Sequence, residues 1–162
     1  MKTREITVRI AELALGRPGE VLVSRGLGSC VAVILHDAGA RLGGMAHVLL
    51  PDPALARDAS NPAKFASTAV PLLLERMLAA GAARERLTAT LVGGASMFTS
   101  ALPSPAMNLG ARNVEVAREA LGALGIPLRA EDVGGERGRS VRFVVAEGRV
   151  RVTSVAAGPL EL

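Results

Sequence analysis

Residues 5–15, "EITVRIAELAL", begin with a strict alternation of polar and apolar positions, the period of a half-buried strand. "GRPGE" reads as a turn, and "VLVS" (21–24) as a second short strand running into "RGLGS". "CVAVILHD" and "RLGGMAHVLLP" are β-branched or apolar runs separated by "DAGA", the pattern of a hairpin with Ala38-Gly39 at its tip. "PDPALARDASNPAKF" is a Pro-rich polar loop, long enough for a lid or rim. In the segment that follows, Asn61 caps and Pro62 opens a helix over 63–80, with Gly81 as its stop and Pro71 expected to kink or divide it.

"RLTATLVGG" (86–94) is a further strand, and "ASMFTSALPSPAMNLGAR" is irregular. A second helix is expected over 113–124: Val114, Ala117, Leu121 and Leu124 fall at helical spacing, Asn113 can cap it and Gly125 ends it. "IPLRAEDV" is a strand, "GGERGR" a loop, and "SVRFVVAEGRVRVTSV" a final hairpin turning near Glu147-Gly148. With no internal repeat or linker, residues 1–162 read as one α/β domain rich in antiparallel strands, with two helices covering one face.

Composition narrows the function classes. A chain of 162 residues with 49% apolar content can bury a sizeable core. Charged residues or glycine interrupt every apolar run, so no membrane span is expected, and the N-terminus lacks a secretory signal's apolar core. The net charge of +4 comes with 17 Arg and 2 Lys, but the cations are scattered. Three Phe, no Trp and no Tyr leave few platforms for stacking bases, which argues against nucleic acid as a partner.

The one cysteine, Cys30, excludes an internal disulfide and a cysteine-based zinc site, and suits a reducing cytoplasm. It stands between a Gly-rich turn and an apolar run. With Ala38 and Gly39 as the two loop residues, Asp37 pairs with Ala40 and Cys30 pairs with His47, placing their Cβ atoms ~4.5–5.5 Å apart. A slip of two residues keeps them on one face as diagonal neighbours; a slip of one separates them. Thiol beside imidazole suits nucleophilic acyl transfer: the imidazole can take the thiol proton, then hand one to the leaving group. Gly26-Leu27-Gly28-Ser29 leaves backbone N–H groups uncovered, as an oxyanion hole requires.

The bland alternatives stand beside this reading. A lone cysteine is more often a small core hydrophobe than a nucleophile, and His47 can be a core histidine bonded to a carbonyl. His36 lies ~20 Å from Cys30 along the same strand, too far to act. "GLGSC" is not the G-x-S-x-G elbow. Gly93, Gly94 and Gly110 suit tight turns or close backbone approach. Asp132, Arg137 and Arg139 can form an ion pair fixing the 134–139 loop, while Met97 and Phe98 are either core or an exposed contact pair.

"GLGSCVAVILHD", "GGMAHVLLP", "GGASMF" (93–98), "MNLGARNVE" (107–115) and "AEDVGGERGRSV" (130–141) together resemble the CheD family of chemoreceptor glutamine deamidases. The resemblance implies a three-layer α/β/β sandwich, shared with the catalytic domain of cytotoxic necrotizing toxins. It implies hydrolysis of glutamine side chains on methyl-accepting chemotaxis receptors in the cytoplasm, with no cofactor or metal. Cys30 falls on the family's nucleophile and His47 on its histidine. Ser24 falls on a position commonly threonine, where its hydroxyl would bond His47 or substrate. Gly28 and Ser29 would supply the oxyanion donors. CheC-type phosphatases are an implied partner, with Met97 and Phe98 as a contact surface, so a binding module that regulates such a phosphatase is the alternative. A cysteine hydrolase acting on small amides or esters, receptor methyl esters included, is a third possibility.

Overall fold

The computed structural model describes residues 3–96, 108–154 and 159–162. Among the described residues, ten strands form two five-stranded mixed sheets. The first contains β1 (Arg4–Thr7), β3 (Glu20–Leu27), β8 (Arg139–Val144), β9 (Arg149–Ser154) and β10 (Leu160–Glu161), in that spatial order. The second has the order β2-β5-β4-β6-β7, built from β2 (Leu13–Gly16), β4 (Val31–Asp37), β5 (Leu42–Val48), β6 (Thr88–Gly93) and β7 (Leu128–Val133). Helices α1 (Ala66–Ala79) and α2 (Leu109–Ala123) cover the outer face of the second sheet. The result is the expected three-layer α/β/β sandwich.

The apolar runs of β4 and β5 follow from that middle position. Val31, Val33 and Leu35 face the helices, packing with Leu73 and Met77 of α1 and Ala117 and Leu121 of α2. Ala32 and Ile34, at the alternate positions, face the other sheet with Leu22, Met45, Val141 and Phe143. A strand buried on both faces has no polar side to alternate with. Each large aliphatic side chain sealed in these layers contributes about 1.5–3 kcal/mol.

The single strand expected over 5–15 is two strands in different sheets. β1 runs parallel to β3, and β2 runs antiparallel to β5. Between them the chain turns: Glu12 N–H donates to the Arg9 carbonyl at 3.0 Å, the Glu12 carboxylate accepts from Arg9 N–H at 2.9 Å, and Ala11 takes φ 65°. "RIAE" carries no Gly or Pro, so the alternation ran through the break unmarked.

The hairpin tip is also larger than expected. Asp37 pairs with Leu42, and residues 38–41 form a four-residue connection in which Arg41 takes φ 55°. The buried Asp37 carboxylate holds this loop, accepting from Ala40 N–H at 3.0 Å, Ala83 N–H at 2.7 Å and Arg86 Nε at 2.7 Å. Three donors on one carboxylate outweigh the preference for a two-residue turn.

Both helices start elsewhere than expected. Asn61 caps only a short 3-10 turn (Pro62–Lys64), and α1 begins at Ala66. Pro71 neither ends nor divides α1, because its ring lies on the exposed side, where the unbonded Ser67 carbonyl can face water. Asn108, not Asn113, caps α2, its side chain accepting from Ala111 N–H at 3.2 Å. Both helices end at the expected glycines, Gly81 at φ 110° and Gly125 at φ 72°.

Candidate active site

Cys30 lies immediately before β4, and its side chain packs in the layer between the two sheets. The four-residue hairpin loop places His47 opposite Ala32 instead of Cys30. That is a slip of two from the expected pairing. Cys30 and His47 therefore remain on one face, as diagonal neighbours across β4 and β5.

Three Gly-rich segments meet at this end of the second sheet. Gly94 N–H donates to the Cys30 carbonyl and Ala95 N–H to the Gly28 carbonyl, each at 2.8 Å. Gly134 N–H donates to the Gly93 carbonyl at 3.0 Å, and Ser96 N–H to the Gly135 carbonyl at 2.9 Å. Close approach explains the glycines: a Cβ on Gly93, at φ 115°, would lie 2.3 Å from the Cys30 carbonyl oxygen, and one on Gly110 2.3 Å from that of Ala95. Arg139 ties the third segment down through the Asp132, Gly134 and Arg137 carbonyls and pairs with the Asp132 carboxylate at 3.4 Å. Arg137 thus contributes its backbone rather than its charge to the expected ion pair.

His47 is held from β5 outward. Its backbone N–H donates to the Glu12 carbonyl at 3.0 Å, and its carbonyl accepts from Ala11 N–H at 2.8 Å. Its Nδ1 lies 3.1 Å from the Val8 carbonyl oxygen, which can only accept, so Nδ1 carries the proton. Nε2 is then the nitrogen with the free lone pair. It is buried and has no hydrogen-bond partner among the described residues. Burial holds the imidazole below its ordinary pKa, opposed in part by the Val8 bond and by Glu12. Burial likewise pushes the Cys30 thiol up, with its own backbone N–H pulling the other way. Both shifts favour the neutral thiol beside the neutral imidazole. Cys30 keeps 7% of its surface exposed.

Ser24 departs from expectation. Its hydroxyl donates to the Val8 carbonyl at 2.8 Å and lies 3.2 Å from Met45 Sδ, not against His47. Fully buried, it cannot reach a substrate as it stands. Gly28 and Ser29 are half-buried beside Cys30. Among the described residues, the N–H groups of Gly28, Ser29 and Cys30 donate to no other residue. Met97 and Phe98 lie outside the described residues.

Two participants escaped the sequence reading. Val8 acts through its carbonyl, which no side-chain pattern can announce. Asn113 donates through Nδ2 to the Ser29 carbonyl at 2.9 Å and the Leu49 carbonyl at 3.0 Å. A signal existed for it: Asn113 shares a helical stripe with Ala117 and Leu121, and a polar residue on a buried stripe needs partners.

The family model described as CheD chemotactic sensory transduction matches residues 49–154, beginning two residues after His47. Curated relatives align across the site itself. A protein of Clostridium novyi (strain NT) named "Probable chemoreceptor glutamine deamidase CheD" is 41% identical over 158 residues, 98% of each chain. Its namesake in Clostridium botulinum (strain Hall) is 40% identical over 162 residues, covering all of both chains. Among solved structures, the Bacillus licheniformis hypothetical protein YfiH shares 20% identity and a TM-score of 0.43 over 74% of this chain and 49% of that one. That likeness is too weak to bear on fold or activity. The family match over most of the chain and the relatives' full-length identity agree: this chain belongs to the CheD family.

Proposed function

We propose that this protein is a chemoreceptor glutamine deamidase, converting receptor glutamine side chains to glutamate through a thioester on Cys30. One observation carries the reading: Cys30 and His47 share an inter-sheet face, and His47 Nε2 is a lone-pair nitrogen with no partner among the described residues. With Nδ1 protonated on the Val8 carbonyl, the neutral imidazole presents Nε2 as a base on the face that carries the thiol.

In the proposed cycle the Cys30 side chain turns toward Nε2 as substrate enters, and the thiol proton passes to Nε2. Sγ attacks the glutamine Cδ, and the carbonyl π electrons move onto oxygen. That oxyanion accepts N–H groups from the Gly28–Cys30 segment. As the intermediate collapses, the C–N bond breaks and Nε2–H gives its proton to the departing ammonia. A thioester remains. Water then gives a proton to Nε2 and its oxygen to the acyl carbon, the C–S bond breaks, and Nε2–H restores the thiol. Glutamine and water become glutamate and ammonium. Ser24 steadies the Val8 carbonyl that sets the His47 tautomer.

The substrates in this reading are chemotaxis receptors, whose helical signalling regions would place the protein in the cytoplasm. Among the described residues no helix is long and apolar enough to cross a membrane. The test is mass spectrometry of a receptor cytoplasmic fragment incubated with the protein. Each deamidated glutamine gains about 1 Da with wild type, and Cys30→Ala abolishes the gain. The same gain with Cys30→Ala would rule the assignment out.

A further inference from the structure

Asn113 is fully buried in the second turn of α2, and its amide reaches across to two backbone carbonyls. Nδ2 spends both of its protons, one on the Ser29 carbonyl and one on the Leu49 carbonyl. Oδ1 is buried with no hydrogen-bond partner among the described residues. Turned the other way, the amide would set Oδ1 against both carbonyl oxygens and leave them without these donors. The orientation is set by the two carbonyls.

Those carbonyls belong to the segments that carry the site. Ser29 precedes Cys30, and Leu49 lies two residues beyond His47. All three carbonyls of Gly28, Ser29 and Cys30 are thereby taken: by Ala95 N–H, by Asn113 and by Gly94 N–H. The Ser29–Cys30 peptide is trans, so its C=O and N–H point in opposite directions. Holding the Ser29 carbonyl on Asn113 aims the Cys30 N–H away from α2, and that N–H donates to no other residue among those described.

We infer that Asn113 is a positioning residue that aims the Cys30 N–H at the oxyanion by holding the Ser29 carbonyl, while tying the β4 and β5 ends together. The inference rests on the deamidase reading above. It assigns the aim of an oxyanion donor to a helix side chain more than eighty positions away in sequence, and it makes α2 part of the active-site frame. The cost of a misaimed donor falls on the transition state, where charge on oxygen is greatest, and little on substrate binding.

The test uses the full chain, a receptor cytoplasmic fragment and the variants Asn113→Ala and Asn113→Leu, the second keeping the volume without the donors. Steady-state ammonia release should show kcat lowered about 10²-fold with KM unchanged, the size expected when a reacting group is misplaced by about 1 Å. Labelling of Cys30 by methyl methanethiosulfonate, which has no carbonyl and needs no oxyanion hole, should proceed at the wild-type rate. Unchanged kcat overturns the inference, as does a labelling rate that falls in step with kcat, which would mean general damage to the thiol's surroundings. A measurement on wild type guards against variants that fail to fold. A glutamine-mimicking peptide aldehyde should add the Cys30 thiol across its carbonyl, and the Cys30 amide proton should then move downfield in the NMR spectrum. An adduct that leaves that proton unmoved overturns the inference. Absence of both ammonia release and adduct in wild type sinks the deamidase reading, and the inference with it; active wild type with unaffected variants sinks the inference alone.

Discussion

Ser24 and His47, from β3 and β5 in opposite sheets, donate to a single acceptor, the carbonyl oxygen of Val8, at 2.8 and 3.1 Å. Val8 sits where the chain leaves the first sheet for the second, so this one oxygen joins both layers at the histidine. Ser24→Ala removes one donor and leaves the carbonyl still satisfied by His47. The expected loss is about 1 kcal/mol in denaturant unfolding, the net worth of one neutral hydrogen bond. Deamidation should fall less than in His47→Ala. Equal loss in the two variants would make Ser24 a direct participant in the chemistry.

Thiol reactivity should report the neutral resting pair. Burial raises the Cys30 pKa and lowers that of His47, so alkylation by iodoacetamide without substrate should have its pH midpoint above the ~8.5 of an ordinary thiol. A midpoint near neutrality would show a standing thiolate–imidazolium pair.

Stability should respond to acid in two windows. The folded-state pKa values of His47 and His36 are both lowered, chiefly by burial, so the unfolded chain binds protons first. Their contribution is present above pH ~6.5 and is lost as pH falls below that value toward the lowered folded-state ones. Asp37 is also lowered, chiefly by its bond to Arg86, and its contribution persists until pH drops below ~3.9. Urea unfolding across pH 7 to 3 checks this, with His47→Leu flattening the upper step and Asp37→Asn the lower one.

The hairpin tip is held by the buried Asp37 carboxylate. Asp37→Ala strips acceptors from Ala40 N–H, Ala83 N–H and Arg86, and should cost about 2–3 kcal/mol, the scale of charge-assisted hydrogen bonds. Arg86→Ala should cost less, because that side chain is half exposed and leaves the two backbone donors paired.

Gly93→Ala should both destabilise the fold and disturb the thiol. Its φ of 115° is hostile to a side chain, and the new Cβ would meet the Cys30 carbonyl at 2.3 Å. A drop in melting temperature together with altered Cys30 alkylation is the expected pair of results. Gly122→Ala makes the control, since a Cβ there meets nothing and replaces glycine within a helix.

The alternation and apolar runs of the sequence were enough to place both helices, the central hairpin and the Cys30–His47 face, because side-chain period is a local property. The shared face survived an error of two residues in register, since a slip of two preserves parity. What local pattern could not reveal was decided by contacts distant in sequence. The register depended on Asp37 meeting Ala83 and Arg86. The split of the first strand depended on Val8 N–H pairing with the Val23 carbonyl and Ala11 N–H with that of His47. The tautomer of His47 and the place of Asn113 came from backbone carbonyls, which every residue carries alike and which become distinctive only once the chain has folded around them.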